Sequence, residues 1–539
     1  MTFPASRPQD IEASRFPEFN GGLRDLFSTL DDLLTCGGDP RLMLDPVSRL
    51  NDYGCGPSPL PHILSFSSST ASTISERAYQ RAGLAREELM RSAIAVGLED
   101  ALEMRIEDMR AELKGYLALP PAKVDVIFSP SGTDSQLHAL FLARLLLGPQ
   151  LTTIIVGSDQ TGSGMPFTAR GRHFSRFTAS GVAVRKDTSV AGLACDSLMV
   201  PIADPSGLKL RADADLAVLD AIEAAVAGGA RVLLHIMDAS KFGWRAPSQS
   251  CLDEIARRWR DKVLVVVDAC QMRLGRQRLR RLLDRGCMVL VTGSKFFGGP
   301  AFSGALLVPA SLACALDGGD KGIAPGISDY ANRSDWPAAW TKLRSRFASR
   351  SNLGQWLRWE AALEDIGAYY QVPAAFRAKA LREYRTGIES LISLSPLLHP
   401  VDTADAATED EEFSEATIFP FTLHRDGGVL SAHDCRVLYH ALAEDLSVVI
   451  DGSEAERDLV ARRCLVGQPV RIERLKAPTA ALRFCVGARL VTEAWSADAN
   501  AARQNLQRNL DCIAEVVAKV EFLLALDGGT GLRGLSDGI

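Results

Sequence analysis

Five short runs between residues 124 and 292 are apolar almost from end to end: VDVIF (124–128), TTIIV (152–156), RVLLHIM (231–237), VLVVVD (263–268) and MVLVT (288–292). Stretches of helical periodicity lie between them, at 133–147, 213–228, 248–260 and 275–285. A strand with one wet face alternates apolar and polar residues, whereas a strand that is apolar throughout is covered on both faces. Such strands alternating with helices predict an α/β fold: a large domain with a mainly parallel sheet flanked by helices and joined by right-handed crossovers.

The chain has 539 residues, a length that suggests about two or three domains. Residues 1–74 are rich in Pro, Gly and Ser and read as an irregular N-terminal arm with one short helix near 22–35. The large domain is expected over 75–325, opening on a helical pattern at 74–119. Residues 326–539 read as a long connecting helical region (352–394) and a smaller α+β domain. That domain is built from IFPFTLHR, PVRIERL and ALRFCV and closed by a helix near 498–526. The acidic stretch 403–416 reads as a solvated loop, and RLGRQRLRRLLDR (273–285) as the wet face of an amphipathic helix.

Lys and Arg total 60 against 66 Asp and Glu, a net charge of −6. A protein that grips a phosphate backbone needs the opposite balance, so no nucleic-acid partner is expected. No run of about 18 apolar residues occurs, so no membrane span is expected. The opening MTFPASRPQDIEASRF lacks the charged-then-apolar pattern of a leader. The 11 cysteines show no CxxC pair and no Cys/His ligand spacing. They read as reduced, buried thiols of a cytoplasmic protein without a metal.

Ligands of open α/β sheets bind at the carboxyl ends of the strands, and three strand ends here carry chemistry. After VIFSP, Ser131-Gly132-Thr133 leads straight into a helix. Glycine admits a ligand close to the backbone, threonine adds a hydroxyl, and the first helical turn offers N–H groups and a positive dipole end suited to phosphate. A plain Ser/Thr N-cap is the commoner use of this pattern. Asp268 closes VLVVVD, where a carboxylate is costly unless paired. It either caps the next helix or holds a protonated ring nitrogen through a charge-assisted bond, with Gln271 in reach of a ring substituent. Lys295 follows the strand ending at Thr292, beside two phenylalanines. Most lysines are surface charges, but partial desolvation lowers an amine's pKa and makes it nucleophilic. Thr292 and Ser294 add hydroxyls. A phosphate cradle, a ring-nitrogen acid and an amine at successive strand ends make up a site for pyridoxal 5'-phosphate (PLP).

These motifs resemble fold-type I PLP enzymes, in particular the branch of class V aminotransferases and cysteine desulfurases, over roughly residues 75–525. That branch shows a Gly-Thr phosphate turn, Asp-x-x-Gln, and Ser-x-His-Lys with Gly-Pro close behind. Here they read Ser131-Gly132-Thr133, Asp268-Ala269-Cys270-Gln271 and Thr292-Gly293-Ser294-Lys295, followed by Gly298-Gly299-Pro300. The resemblance implies that Lys295 carries the cofactor as a Schiff base, that Asp268 pairs with the pyridinium nitrogen and that Gln271 meets the ring oxygen. It places Ser131, Gly132, Thr133, Thr292 and Ser294 around the phosphate, and it implies a homodimer. The sequence departs from the branch at Ser294, where His is usual, and at Ser240 of MDASKFGWRAP, where Asn is usual. The loop GSDQTGSGMPF also has no ring-stacking aromatic before Phe167.

The small domain of such enzymes offers an arginine to a substrate α-carboxylate, and Arg483 and Arg489 in TAALRFCVGARL are the candidates, Arg483 the better. An internal salt bridge is the competing use of either. Aminotransfer on an amino acid is the expected reaction. Lyase or side-chain substitution chemistry is the alternative, including desulfuration with Cys464 as nucleophile beside Arg462 and Arg463. A non-catalytic scaffold is a distant third. Cys464, His173 and His235 read more simply as structural, and the turn KFGWRAP (241–247) and GISDYANRSDWP (326–337) as pocket lining, packing or a dimer contact.

Overall fold

The computed structural model describes residues 22–51, 53–68, 70–317, 322–402, 410, 412–450, 452–472 and 478–526. The opening MTFPASRPQDIEASRF and residues 403–409 and 411 of the acidic stretch lie outside them. Counting strands along the chain, β1 (Leu64–Phe66) belongs to the arm. The large sheet holds β2 (Val124–Ser129), β3 (Leu151–Val156), β4 (Asp196–Val200), β5 (Arg231–Met237), β6 (Val263–Asp268), β7 (Met288–Thr292) and β8 (Gly304–Pro309). Their order is β2-β8-β7-β6-β5-β3-β4.

All pairings from β7 to β4 are parallel, and β8 alone runs against its neighbours. The reason is chain length. A parallel return needs a crossover of about a dozen residues or more, usually a helix, and only the short Lys295 turn separates β7 from β8.

Both faces of the sheet are covered, as the unbroken apolar runs require. Helix Gly132–Leu147 packs Leu137, Leu140 and Phe141 on one face, against Leu233, Leu290 and Leu306. On the other face Val218, Ile222, Ile255 and Leu279 pack against Val232, Leu234, Val267 and Val289. Burying each such side chain stabilises the fold by about 1.5–3 kcal/mol.

The second sheet contains β9 (Leu398–Pro400), β10 (Ile418–Arg425), β11 (Gly428–Val429), β12 (Cys464–Ile472) and β13 (Thr479–Cys485), and the arm strand β1 pairs parallel with β12. The arm is therefore woven into the C-terminal sheet, which its Pro/Gly-rich composition did not suggest. Its short helix is Leu30–Leu34, capped by Thr29. The long helix Leu353–Gln371 is buried over most of its length. Its Arg358 donates to the carbonyls of Leu34 (3.0 Å), Cys36 (2.6 Å) and Gly37 (3.0 Å) in the arm and of Phe302 (2.9 Å). Among the described residues no helix is long and apolar enough to cross a membrane. All eleven cysteines are free thiols.

Candidate active site

Strands β6 and β7 lie side by side, so Asp268 and Lys295 come from neighbouring strand ends. Asp268 Oδ1 accepts from the Cys270 N–H at 3.1 Å. A carboxylate has about four lone-pair positions, so this leaves capacity for a further donor.

Lys295 has φ +59, a left-handed conformation uncommon for a residue with a side chain. Its carbonyl accepts from Ser68 Oγ (2.9 Å) and the Gly298 N–H (3.1 Å). Phe296 and Phe297 behind it are buried against Tyr369, with ring centroids 5.2 and 5.8 Å apart. The amine, in contrast, makes no hydrogen bond or ion pair among the described residues. Burial pulls its pKa from 10.5 to about 8; Arg483 and Arg41 push the same way, while the Cys270 thiol and Asp268 oppose.

Beside this pair stands the N-terminus of helix Gly132–Leu147. Ser131 is its N-cap: its Oγ accepts from Asp134 N–H (3.2 Å) and donates to Asp134 Oδ2 (2.5 Å). The first N–H groups of the helix have no intrahelical acceptor. A Cβ on Gly132 would fall 2.8 Å from Cys270 Sγ and 3.5 Å from Thr292 Cγ2, so the helix start sits directly on the ends of β6 and β7. Thr292 Oγ1 donates to the Cys270 carbonyl at 2.7 Å. The hydroxyls of Thr133 and Ser294 have no partner among the described residues. The loop after β3 closes over Thr133: a Cβ on Gly164 would lie 2.4 Å from its Cγ2. Burial raises Asp134 to about 7, which removes part of the negative charge that would oppose an anion at this helix end.

The remaining candidates divide. Gln271 Oε1 accepts from Arg273 Nη1 at 3.0 Å. Arg483, on β13, donates to the carbonyls of Lys241 and Gln468, its Nε has no partner, and its charge acts on Lys295. Arg489 lines a pocket with Lys295, bonds Thr73 and the Gly298 carbonyl through its Nη groups, and has no partner for its Nε among the described residues. Cys464 opens β12 with its thiol pushed up to about 11 by burial. His235 is buried in β5 and lowered to about 3 by desolvation, so it is neutral, and His173 Nδ1 lies 2.6 Å from the Tyr330 hydroxyl. In the segment 326–337, Tyr330 and Trp336 are packing residues under helix Gly132–Leu147.

Pattern reading misplaced one basic residue and left a second unnamed within the turn KFGWRAP. Arg273 was expected on the wet face of a helix, but the helix starts only at Arg276, with Gly275 as its N-cap. Arg273 is buried, donating to Thr417 Oγ1 (2.7 Å), Ser68 Oγ (3.1 Å) and the Gln271 carbonyl (2.9 Å). Lys241 lies in the loop after β5, and its amine is lowered to about 8 by burial, then by Arg483 and Lys295. Gly275 was the one available signal for Arg273, whereas Lys241 falls in the turn KFGWRAP (241–247), which the sequence offered as pocket lining.

The donor set fits PLP: a Gly/Thr/Ser-lined helix end for a phosphate, a carboxylate for a ring nitrogen, and a pocket-lining amine with no partner among the described residues for an aldehyde. Among the described residues no three His, Cys, Asp or Glu side chains are grouped to hold a metal ion.

No family model matches the chain, and no curated protein matches it either. Among solved structures it is similar to a phosphoserine aminotransferase of Cytophaga hutchinsonii, with 13% identity, 83% of this chain and 98% of that one covered, and a TM-score of 0.45. It is similar to the cystine C-S lyase C-DES, solved with its product cysteine persulfide (15%, 84% and 98%, TM-score 0.46). It is also similar to Oryza sativa TDC, solved with PLP and tryptamine (14%, 86% and 85%, TM-score 0.47). At these values the chemistry has to be argued from the side chains themselves.

Proposed function

We propose that this chain is a PLP-dependent enzyme that acts on the amino group or Cα of an amino acid, as a transferase or lyase, with aminotransfer the reaction its residues serve most directly. The observation that carries this reading is Lys295. It is half-buried and lines a pocket, and its amine is depressed to about 8 and without a hydrogen-bond partner among the described residues, next to Asp268 and the Gly132 helix end. When bound, the cofactor supplies an aldehyde that condenses with amino groups and a protonated ring that takes up the electron pair left at Cα.

The chain's own residues do the rest. Asp268 stabilises the protonated ring nitrogen, and the helix end with Gly132, Thr133 and Ser294 seats the phosphate. Lys295 Nζ, neutral above about pH 8, takes and returns the Cα proton. Arg483 orients the substrate carboxylate, a role for which Arg489 has fewer free donors. Cys464 is buried and protonated, which speaks against a desulfurase nucleophile at that position.

The test is Lys295→Ala: the purified variant should lack the visible absorbance band of bound cofactor that the parent carries. An unchanged band would rule Lys295 out. A homodimer belongs to the same proposal. Light scattering should give twice the chain mass, and a monomer with a full complement of cofactor would contradict it.

A further inference from the structure

A glutamine amide offers two unlike ends to a ligand. Its terminal torsion is broad and close to two-fold, so a free amide presents either its oxygen or its NH2 group. Only the NH2 end suits an anionic ring oxygen, because the amide oxygen would set acceptor against acceptor. Gln271 is half-buried, three residues beyond Asp268, and the residue that decides its orientation is Arg273.

Arg273 is 4% exposed. Its Nη1 donates to the Gln271 carbonyl (2.9 Å) and to Gln271 Oε1 (3.0 Å). A guanidinium has donors only, so the amide atom that faces it is the oxygen. The Nε2 end is left over and makes no hydrogen bond among the described residues. The guanidinium itself is held from three further sides. Its Nε donates to Thr417 Oγ1 just before β10 (2.7 Å), and its Nη2 donates to Ser68 Oγ in the arm (3.1 Å). Its carbon lies 5.7 Å from the centre of the Phe296 ring, within cation–π range. Ser68 Oγ in turn donates to the Lys295 carbonyl (2.9 Å), and Phe296 is the next residue. One side chain therefore ties the Gln271 amide to the lysine turn.

We propose that Arg273 is a positioning residue for the cofactor: it holds the oxygen of the Gln271 amide and leaves the NH2 group as the end offered to the ring oxygen. This rests on the PLP reading above and goes beyond it. A donor at the ring oxygen draws charge from it, and so loosens the proton on the nitrogen that joins Lys295 to the cofactor. A lysine could not replace the arginine, since its donors sit at one point and cannot serve Thr417, Ser68 and Gln271 together.

The experiment follows the visible band of cofactor-loaded protein against pH and reads the midpoint at which that nitrogen loses its proton. Arg273→Met should raise the midpoint by about one to two pH units, the worth of one hydrogen bond to a charged group. Gln271→Met should raise it by a similar amount. The two substitutions together should raise it no further than Gln271→Met alone, because the arginine acts through the amide. A midpoint unmoved in Arg273→Met would overturn the proposal. Additive shifts would overturn it too, by showing that the charge of Arg273 acts on the cofactor directly. Should Arg273→Met not fold or not take up the band, neutron diffraction from cofactor-loaded crystals of the parent decides. Deuterium on the Gln271 amide end that faces the ring oxygen supports the proposal, and an amide turned away from the ring overturns it. A parent protein that never acquires the band sinks the PLP reading and this proposal with it. A banded parent whose midpoint Arg273→Met leaves in place sinks this proposal alone.

Discussion

A lysine amine held near 8 instead of 10.5 has two consequences of opposite use. Capture of a carbonyl cofactor needs the neutral amine. The rate of capture by cofactor-free protein should therefore climb with pH below about 8 and level off above it. Rapid mixing with PLP across that range checks this, and a rate still climbing well above 8 would show an unshifted lysine. The cost falls on stability. The folded value lies below the unfolded one, so below about 8 both states are protonated and the full burial penalty applies. Between 8 and 10.5 the folded state binds fewer protons than the unfolded state, so stability rises with pH. Cofactor-free Lys295→Met should thus be more stable than the parent below pH 8, with the gap closing toward 10.5. Lys295 and Asp268 were legible in the sequence because a charge that closes an apolar strand is out of place there. Arg273 was not, because a charged residue between a strand and a helix has the same pattern whether it faces water or the interior. Only the packing of β13 and the arm against that loop decides between them.

At the level of elements, the proposed phosphate seat depends on how closely a helix start approaches the sheet. Two glycines permit the approach, and they differ in what lies opposite. A Cβ on Gly132 meets the Cys270 side chain at 2.8 Å, a neighbour that can be removed. A Cβ on Gly304 of β8 meets the Ser131 carbonyl carbon and oxygen at 2.3 Å, which is backbone and cannot yield locally. Gly132→Ala should lose about 1–3 kcal/mol of stability and weaken PLP binding, and Cys270→Ala in the same chain should restore much of both. Gly304→Ala should be worse than Gly132→Ala and not be rescued by Cys270→Ala. Melting curves and cofactor titrations of the four variants separate these cases, and a rescued Gly304→Ala would refute the distinction. Strands β2, β3, β5, β6 and β7 could be read in advance because burial on both faces leaves an unbroken apolar run, whereas the edge strand β4 is largely exposed and shows none. The antiparallel β8 could not, since direction is set by the length of the preceding connection and not by composition.

Across the whole molecule the N-terminal arm is the element whose role composition concealed. Pro, Gly and Ser gave it the look of an appendage, yet it reaches both sheets and the candidate site. Strand β1 extends the C-terminal sheet through β12. Ser68 bonds the Lys295 carbonyl and receives Arg273, while Thr73 receives Arg489. Arg358, 0% exposed, finds three of its four acceptor carbonyls in the arm. Deleting residues 1–74 would leave that guanidinium buried and largely unpaired. Breaking a buried charge's partnership costs about 3–5 kcal/mol, a large share of a total stability of about 5–15 kcal/mol. The deletion also removes one strand of the second sheet and Ser68, whose hydroxyl donates to the Lys295 carbonyl. The truncated chain should therefore be insoluble or melt far below the parent. Arg358→Met in the truncated chain should recover part of the loss, because it removes the stranded charge, but not cofactor binding, because the lysine turn is still unsupported. Solubility, melting temperature and the visible band of the three proteins test this together. A soluble truncated chain that keeps the parent's band would mean that the lysine turn holds its left-handed geometry by itself.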